Sequence, residues 1–215
     1  MVTILSKEHS IVNQFISEIR SASIQQDRMR FRRNMERLGE IFAYEISKRL
    51  AYQETEIITP LGISRIPVLA RQPVLATILR AGLPLHQGLL NYFDRADNAF
   101  ISAYRKHHKD GTFDIKLEYL SCPTLKGCTL ILSDPMLATG SSMVLTYKSM
   151  LERGAPEHTH IVCAIASAQG VNYVKRHLST HVSLWVGAID DELTAQSYIV
   201  PGLGDAGDLA FGIKM

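Results

Sequence analysis

The chain has 215 residues, of which 46% are hydrophobic and 20% are charged, a composition that excludes a disordered, collagen-like or coiled-coil protein. Its length predicts one large domain. No apolar run reaches the roughly 18 residues of a membrane helix, and the N-terminus shows no secretory signal pattern. Cys122, Cys128 and Cys163 have no metal-binding spacing, so we expect reduced thiols in a cytoplasmic protein.

The net charge of +2 is too small to indicate a nucleic-acid partner, but the charge is unevenly distributed. Between Arg20 and Leu50, four acidic residues stand against eight basic ones: Arg20, Arg28, Arg30, Arg32, Arg33, Arg37, Lys48 and Arg49. Such a stretch is typical of a solvated helix face, and it also fits a patch that contacts an anionic ligand or another subunit. The sequence leaves both interpretations open.

The first predicted element is an amphipathic helix over residues 31–50. Its apolar residues recur at spacings of three and four and therefore share one face: Phe31, Met35, Leu38, Phe42 and Ile46. We assign about residues 1–60 to a helical N-terminal extension. Pro60, Gly62 and Pro67 then predict a segment that crosses from this helix into the core.

The rest of the chain alternates between strands and helices. Apolar runs without period-two alternation predict strands buried on both faces, at Val74–Leu79, Ala99–Ala103, Thr129–Leu132, Ile161–Ala166 and Val182–Ile189. Helical segments fit between several of them, at Leu83–Phe93, Ser142–Arg153 and Val171–Leu178. This alternation predicts an α/β fold with a parallel sheet flanked by helices.

One segment has a different pattern. Phe113–Leu120 alternates apolar and polar residues, which predicts a half-exposed strand. Asp110-Gly111 before it is a strong hairpin-turn sequence. We therefore expect a projecting β-hairpin arm at about 104–121.

The segment with the most chemical information is Thr129–Met143. An apolar strand ends at Asp134, and a loop of small residues leads into a helix. Ligands of parallel α/β sheets bind beyond the carboxyl ends of strands, and a helix N-terminus presents backbone N–H groups to an anion. Thr139, Ser141 and Ser142 add hydroxyl groups. The segment predicts a phosphate site, with an ordinary helix cap by Ser141 or Ser142 as the alternative.

A second segment, Tyr198–Gly207, contains glycines at 202, 204 and 207. It is not a dinucleotide-binding motif, because only eight residues follow Gly207 and no βαβ unit can form. We expect a glycine-rich loop whose backbone approaches a flat, hydrogen-bonding ligand, with Asp205 and Asp208 beside it as acceptors. The alternative is an unstructured C-terminal tail.

Other charged residues are weaker candidates. Arg80 ends a predicted strand and Arg105 lies at the base of the predicted arm, so each could bind phosphate oxygens or form a surface salt bridge. The histidine pairs His107-His108 and His158/His160 lack a third ligand at a recognisable spacing. We expect them to be solvated loop residues rather than a metal site.

These segments together resemble the uracil phosphoribosyltransferases, a family of type I phosphoribosyltransferases. The resemblance rests on ILRAG at 78–82, AYR at 103–105, DPMLATGSS at 134–142 and YIVPGLGDAGD at 198–208. Further similarities are FRR at 31–33, AYE at 43–45 and ETEIITPLG at 54–62. Their order and approximate spacing extend over almost the whole chain.

The resemblance implies a type I phosphoribosyltransferase-like domain over residues 1–215 and the reaction of uracil with 5-phosphoribosyl 1-diphosphate to UMP and diphosphate. It implies Asp134, Arg105 and Arg80 as catalytic residues. Binding of phosphoribosyl diphosphate is implied for Arg80, Arg105, Asp134, Pro135, Met136, Leu137, Ala138, Thr139, Gly140, Ser141, Ser142 and Asp205. Uracil binding is implied for Ile199, Gly204, Asp205 and Ala206, within a C-terminal loop at about 190–215.

The resemblance also implies Mg²⁺ held mainly by substrate oxygens rather than by a protein cage. It implies a homodimer or homotetramer, in which the N-terminal helix is a candidate interface element. Activation by GTP stays open.

The chain departs from the family pattern at three places. Ser141 stands where a second glycine is usual, Leu209 where arginine is common, and KHHKDG at 106–111 where an acidic stretch is usual. If position 141 needs a positive φ, serine carries a strain of ~1 kcal/mol or more. Together with the basic stretch, these departures motivate an alternative: a nucleotide-sensing regulatory protein that binds RNA and has little turnover.

Overall fold

The computed structural model describes residues 1–107 and 113–213, with side chains described outside 103–117. The strands are β1 (Val2–Ile4), β2 (Tyr52–Thr59), β3 (Gly62–Leu69), β4 (Val74–Leu79), β5 (Asp97–His107), β6 (Phe113–Ser121), β7 (Thr129–Ser133), β8 (Met136–Leu137), β9 (His158–Ser167), β10 (Val182–Asp190), β11 (Glu192–Leu193) and β12 (Ile199–Val200). The α-helices are α1 (Ile11–Arg20), α2 (Arg28–Ser47), α3 (Leu83–Tyr92), α4 (Ser141–Met150), α5 (Ala168–His177) and α6 (Ala206–Phe211).

The central sheet has the strand order β1-β10-β9-β7-β4-β5-β6, and β8 also pairs with β9. All of these pairings are parallel except that of β5 with the edge strand β6. Two hydrophobic clusters cover the two faces of the sheet. Leu75 and Ile131 belong to the cluster that includes α1, α2 and α3, whereas Val74 and Leu130 belong to the one that includes α4 and α5. The predicted parallel sheet, buried on both faces, is confirmed.

The middle of the sheet positions the functional residues. Val74 of β4 pairs with Leu130 of β7, so the two strands run side by side and end at the same edge. Arg80 follows the last residue of β4, and Asp134 follows the last residue of β7. Adjacent carboxyl strand ends are where an open α/β sheet binds its ligands.

The N-terminal region differs from the prediction of a helical extension. Residues Val2–Ile4 form β1 at one edge of the central sheet, and three residues are too few for a periodicity to show in the sequence. The predicted crossing segment is the antiparallel β2–β3 hairpin instead. Its strands were missed because most of their side chains are exposed, so the burial that creates an alternating pattern is absent.

The predicted arm is confirmed as far as the structure describes it. Strands β5 and β6 form the antiparallel pair, with Arg105 opposite Ile115. The Asp110-Gly111 turn lies outside the described residues. So do the side chains of Arg105 and His107.

Much of the basic stretch between Arg20 and Leu50 is paired within the chain. Arg20 binds Asp190, Arg30 binds Glu18, Arg33 binds Glu36, and Lys48 binds Glu45. The Glu18 carboxylate accepts from Arg30, Gln14 and Asn34, and these hydrogen bonds, above all that from Arg30, lower its pKa to about 2. The Glu18 contacts join α1 to α2.

Candidate active site

A cleft of about 710 Å³ opens at the carboxyl edge of the central sheet. Three segments that are far apart in sequence line it: residues 78–81 after β4, residues 134–143 after β7, and residues around 196–207 near the C-terminus. The structure thus brings together the strand-end arginine, the small-residue loop and the glycine-rich segment that the sequence singled out.

The β7–α4 loop (134–142) ends at an open helix N-terminus. Gly140 occupies the N-cap position of α4 with φ +82° and has no side chain to cap the helix, and the Thr139 hydroxyl oxygen accepts from the Ser141 N–H at 3.4 Å. Thr139 and Ser141 lie together, with their hydroxyl oxygens 2.8 Å apart. The first-turn N–H groups of α4 and these hydroxyls form a donor set that suits a phosphate group.

Residues at the N-terminus of α5 contact this loop and support it. The hydroxyl of Ser167 donates to the Ala138 carbonyl at 2.6 Å and accepts from the Gly170 N–H at 2.8 Å. A side chain on Gly170 would lie 2.3 Å from the Ala138 oxygen. Neither Ser167 nor Gly170 was predicted from the sequence, because each acts on the loop from another element.

The strain expected at Ser141 is absent. Gly140 has the left-handed conformation, and Ser197 is the only non-glycine residue with positive φ in the part of the chain described here. Ser141 is instead the first residue of α4. A Cβ atom on Gly140 would lie 2.9 Å from the Gly170 carbonyl oxygen, so the requirement for glycine falls one residue earlier than expected. Leu209, the second departure, packs against the hydrophobic core.

Arg80 lies at the other side of the cleft, beyond β4. Its Nη2 donates to the Asp208 carboxylate at 2.9 Å and to the carbonyl of Gly212. Its Nε is buried and has no hydrogen-bond partner among the described residues. The guanidinium group is therefore held at the cleft through Nη2 by the C-terminal segment, and its buried Nε donor is not used within the described residues.

The glycine-rich loop (199–207) forms the third wall. Gly204 has φ +92° and is exposed, and a Cβ atom there would meet nothing within 4 Å. Asp205 caps α6 by accepting from the Asp208 N–H at 2.9 Å. The loop is ordered by these contacts, so the alternative of an unstructured tail is wrong for the residues described.

Most of the predicted site residues line the cleft: Arg80, Asp134, Pro135, Met136, Leu137, Ala138, Thr139, Gly140, Ser142, Gly204, Asp205 and Ala206. Ser141 is not among the lining residues, and Ile199 is buried in β12 at the foot of the glycine-rich loop. Arg105 lies on β5, which is separated from β7 by β4.

The turn between β11 and β12 adds Gln196 and Ser197, which no sequence pattern indicated, and Tyr198, which begins the predicted glycine-rich segment but was not assigned to the site. The N–H of Thr194 donates to the Tyr198 carbonyl at 2.8 Å, which closes this turn. A positive φ at serine has no sequence pattern that predicts it.

Two of the predicted loop histidines are in fact on a strand. His158 and His160 belong to β9, and the buried His160 accepts from the indole N–H of Trp185 at 3.0 Å. Burial, with a smaller contribution from His158, lowers the pKa of His160 to about 4. Over residues 1–107 and 113–213, no cluster of three or more histidine, cysteine or acidic residues could hold a metal ion. In the same ranges, no helix combines the length and apolar character needed to cross a bilayer.

Solved structures agree with this architecture. A protein from Aquifex aeolicus matches with a TM-score of 0.88 and 29% identity over 99% of both chains. A hypoxanthine phosphoribosyltransferase from Staphylococcus aureus matches with a TM-score of 0.50 over 74% of both chains, and at 12% identity it shares the fold alone. The sheet and the β7–α4 loop give this protein a type I phosphoribosyltransferase-like fold.

Sequence comparison defines the family within that class. The family model for uracil phosphoribosyltransferase matches residues 6–213. A uracil phosphoribosyltransferase from Porphyromonas gingivalis is 54% identical over 211 residues, which cover 98% of each chain. One from Thermococcus gammatolerans is 34% identical over 212 residues, which cover 97% of this chain and 92% of the relative. The chain belongs to the uracil phosphoribosyltransferase family.

Proposed function

We propose that this chain transfers the phosphoribosyl group of 5-phosphoribosyl 1-diphosphate to uracil, giving UMP and diphosphate. The observation that carries the proposal is the single cleft in which the open N-terminus of α4, Asp134, Arg80 and the glycine-rich loop meet. The β7–α4 loop supplies a donor set that suits a sugar phosphate, and the exposed backbone of the glycine-rich loop suits a planar base.

The β7–α4 loop binds the 5′-phosphate in this proposal. Ala138, Thr139, Gly140, Ser141 and Ser142 supply backbone N–H groups and hydroxyls, and the dipole of α4 favours the negative charge. Asp134, with Pro135, Met136 and Leu137 in the floor of the cleft, accepts hydrogen bonds from the ribose hydroxyls. Its negative charge stabilises the sugar as positive charge develops at its anomeric carbon.

The arginines act on the leaving group. Arg80 releases Asp208 and binds the diphosphate, so that its guanidinium group stabilises the charge that accumulates as the glycosidic bond breaks. Arg105 has the same role in the proposal, and it enters from the sequence resemblance alone.

The glycine-rich loop recognises the base through hydrogen bonds in this proposal. Backbone groups at Gly204, Asp205 and Ala206 pair with the two carbonyls and the N3–H of uracil. Cytosine presents an amine where uracil presents a carbonyl, and so leaves polar groups unpaired in the cleft. The role expected for Ile199 stays a prediction.

Mg²⁺ fits the donor set as a substrate-borne ion. Asp134 and Asp205 bring two carboxylates to the cleft, which is the ligand chemistry that Mg²⁺ prefers. These residues, with substrate oxygens and water, would complete its coordination. When bound, the ion neutralises the diphosphate charge.

The assembly we propose is a homodimer or homotetramer in the cytoplasm. The β2–β3 hairpin supports it, because Ile58, Leu61 and Ile63 are 89%, 100% and 69% exposed. All three cysteines are free, as in a reducing compartment. Of the eight basic residues that motivated an RNA-binding regulator, Arg20, Arg30, Arg33 and Lys48 form ion pairs within the chain.

The proposal is tested by chromatography of reactions with uracil, phosphoribosyl diphosphate and Mg²⁺. Parallel reactions omit Mg²⁺ or replace uracil by cytosine, hypoxanthine or adenine. We expect UMP from the complete uracil reaction only. Product from hypoxanthine or adenine, or no product with any base, would contradict the proposal.

A further inference from the structure

The glycine-rich loop is held by side chains from the N-terminal segment (20–32), at the far end of the sequence. Three of them donate to main-chain carbonyls on either side of residues 204–207. Arg20 donates to Gly202 at 3.0 Å and Arg32 donates to Ala210 at 2.7 Å. The Gln25 amide, in the orientation that satisfies its hydrogen bonds, donates to Leu203 at 2.9 Å. No sequence pattern predicts these contacts, because each joins residues at opposite ends of the chain.

Arg20 makes the most connected of the three contacts. Its two terminal nitrogens bind the Asp190 carboxylate at 2.7 and 2.8 Å, a forked geometry that fixes both side chains. The Asp190 side chain is 7% exposed, and its Oδ2 also accepts from the Gly202 N–H at 2.9 Å. The pair therefore binds both the N–H and the carbonyl of Gly202.

The backbone conformation of Gly202 helps to determine the position of the glycine-rich loop. Its φ is +55°, and a Cβ atom there would lie 2.1 Å from the Ile199 oxygen. Gly204, the first residue of the loop's base-reading part, follows two residues later and lines the cleft. A shift at Gly202 therefore moves the backbone groups that face the base.

Arg20 and Asp190 do not line the cleft. Discrimination between uracil and cytosine depends on backbone donors and acceptors held within about 0.5 Å of their working positions. A charged fork that fixes both polar groups of one loop residue supplies such rigidity. On the basis of the function proposed above, we propose that Arg20 and Asp190 are positioning residues that set uracil affinity and the preference for uracil over cytosine.

The test compares two forks of similar geometry. Arg20→Gln removes the fork that binds the loop. Arg30→Gln is the matched control, since Arg30 binds the equally buried Glu18 at 2.8 and 2.9 Å in the α1–α2 contact, away from the loop. Initial rates give KM for each substrate and the ratio of kcat/KM for uracil to that for cytosine, and thermal unfolding gives Tm.

We expect Arg20→Gln to raise the KM for uracil about 10-fold and to lower the uracil-to-cytosine ratio, with the KM for phosphoribosyl diphosphate changed less than about 2-fold. Arg30→Gln should lower Tm by a similar amount and leave both KM values and the ratio unchanged. Arg20→Lys keeps the charge and loses the fork, so its effect should be intermediate.

Equal behaviour of the two glutamine variants would overturn the inference and assign Arg20 a purely structural role. If Arg20→Gln does not fold, the same comparison with Arg20→Lys decides, and an unchanged KM for uracil in that variant would also overturn it. Absence of UMP formation by the wild-type protein would overturn the proposed function and this inference together. Wild-type activity with equal variants would overturn the inference alone.

Discussion

The β7–α4 loop takes its shape mainly from consecutive residues of its own segment, with Ser167 as a support 29 positions from Ala138, whereas the glycine-rich loop takes its shape from residues up to 182 positions away. In the first, strand, loop and helix follow one another, and Gly140 sets the turn. In the second, Gly202 is held between Asp190 and Arg20. A phosphate group requires donors that any helix N-terminus provides, but a flat base requires a loop that other elements must hold in place.

Because of this difference, we expect mutations that affect the β7–α4 loop and mutations that affect the glycine-rich loop to change the binding of different substrates. These two loops are the two walls compared below. Changes within the β7–α4 loop should act on the sugar phosphate. Changes at Arg20, Gln25 or Arg32, which bind carbonyls of the C-terminal segment, should act on the base. The predictions below test that separation, from the largest expected effect to the smallest.

Asp134→Asn should reduce kcat/KM by roughly 10²–10³-fold, because it removes the negative charge next to the developing positive charge of the sugar. The amide oxygen can still accept from the Met136 N–H, so we expect an unchanged Tm. UMP formation and thermal unfolding are the measurements. Asp94→Asn, an exposed site outside the cleft, serves as the control. Full activity of Asp134→Asn would remove Asp134 from the site.

Gly140→Ala should raise the KM for phosphoribosyl diphosphate about 10-fold. A left-handed φ of +82° costs alanine ~1–2 kcal/mol, and its Cβ would lie 2.9 Å from the Gly170 oxygen. Ser141→Gly, at the adjacent position, removes one hydroxyl of the donor set but leaves the turn intact, so it should raise that KM less than Gly140→Ala does. The reverse ranking of these two variants would contradict the position at which we assign the turn.

Glu18→Gln tests the contact between α1 and α2 through the pH dependence of stability. The folded pKa of about 2 lies below the ordinary value of 4.5, so the carboxylate stabilises the fold above about pH 4.5 and loses this effect as the pH falls toward 2. At pH 7 we expect Tm to fall by about 4–8 °C in the variant, since hydrogen bonds to a charged group are lost.

Between pH 5 and 2.5, the Tm of the wild-type protein should decrease more steeply than that of Glu18→Gln. Glu45→Gln, which removes the more exposed Lys48 pair, is the matched control and should change Tm by less than about 1 °C. Parallel Tm curves for the wild-type protein and Glu18→Gln would show that the Glu18 contacts carry no pH-dependent stability.

Asp208→Asn should have the smallest effect. It weakens the partly exposed ion pair that occupies Arg80, and such pairs contribute about 0–1 kcal/mol. We therefore expect the KM for phosphoribosyl diphosphate to fall by up to about 5-fold, and less at high salt. Asp191→Asn, an exposed site outside the cleft, is the control. A rise in KM would mean that Asp208 helps to bind the substrate instead.

The same contrast explains how much the sequence could predict. The buried apolar run Val74–Leu79 has the same bounds in the structure as in the prediction, and the other four predicted runs lie within longer strands. The β7–α4 loop could be predicted because strand, loop and helix are consecutive. The supports of the two loops, Ser167 and Arg20, could not be predicted, since each is defined by a partner distant in sequence.

Exposure limited the prediction elsewhere. The β2–β3 hairpin presents apolar residues such as Ile58 to solvent, so the usual link between apolar character and burial fails there. His160 was assigned to a solvated loop because it lacks the third ligand that a metal site would need. Its burial depends on Trp185 of the neighbouring strand, which only the sheet order brings close.

The most direct test of the two-wall account is one grid of initial rates over both substrates, for the wild-type protein, Gly140→Ala and Arg20→Gln. We predict that Gly140→Ala raises the KM for phosphoribosyl diphosphate and leaves that for uracil unchanged, and that Arg20→Gln does the opposite. If both variants raised the KM of the same substrate, the two walls would not act separately and the account would be contradicted.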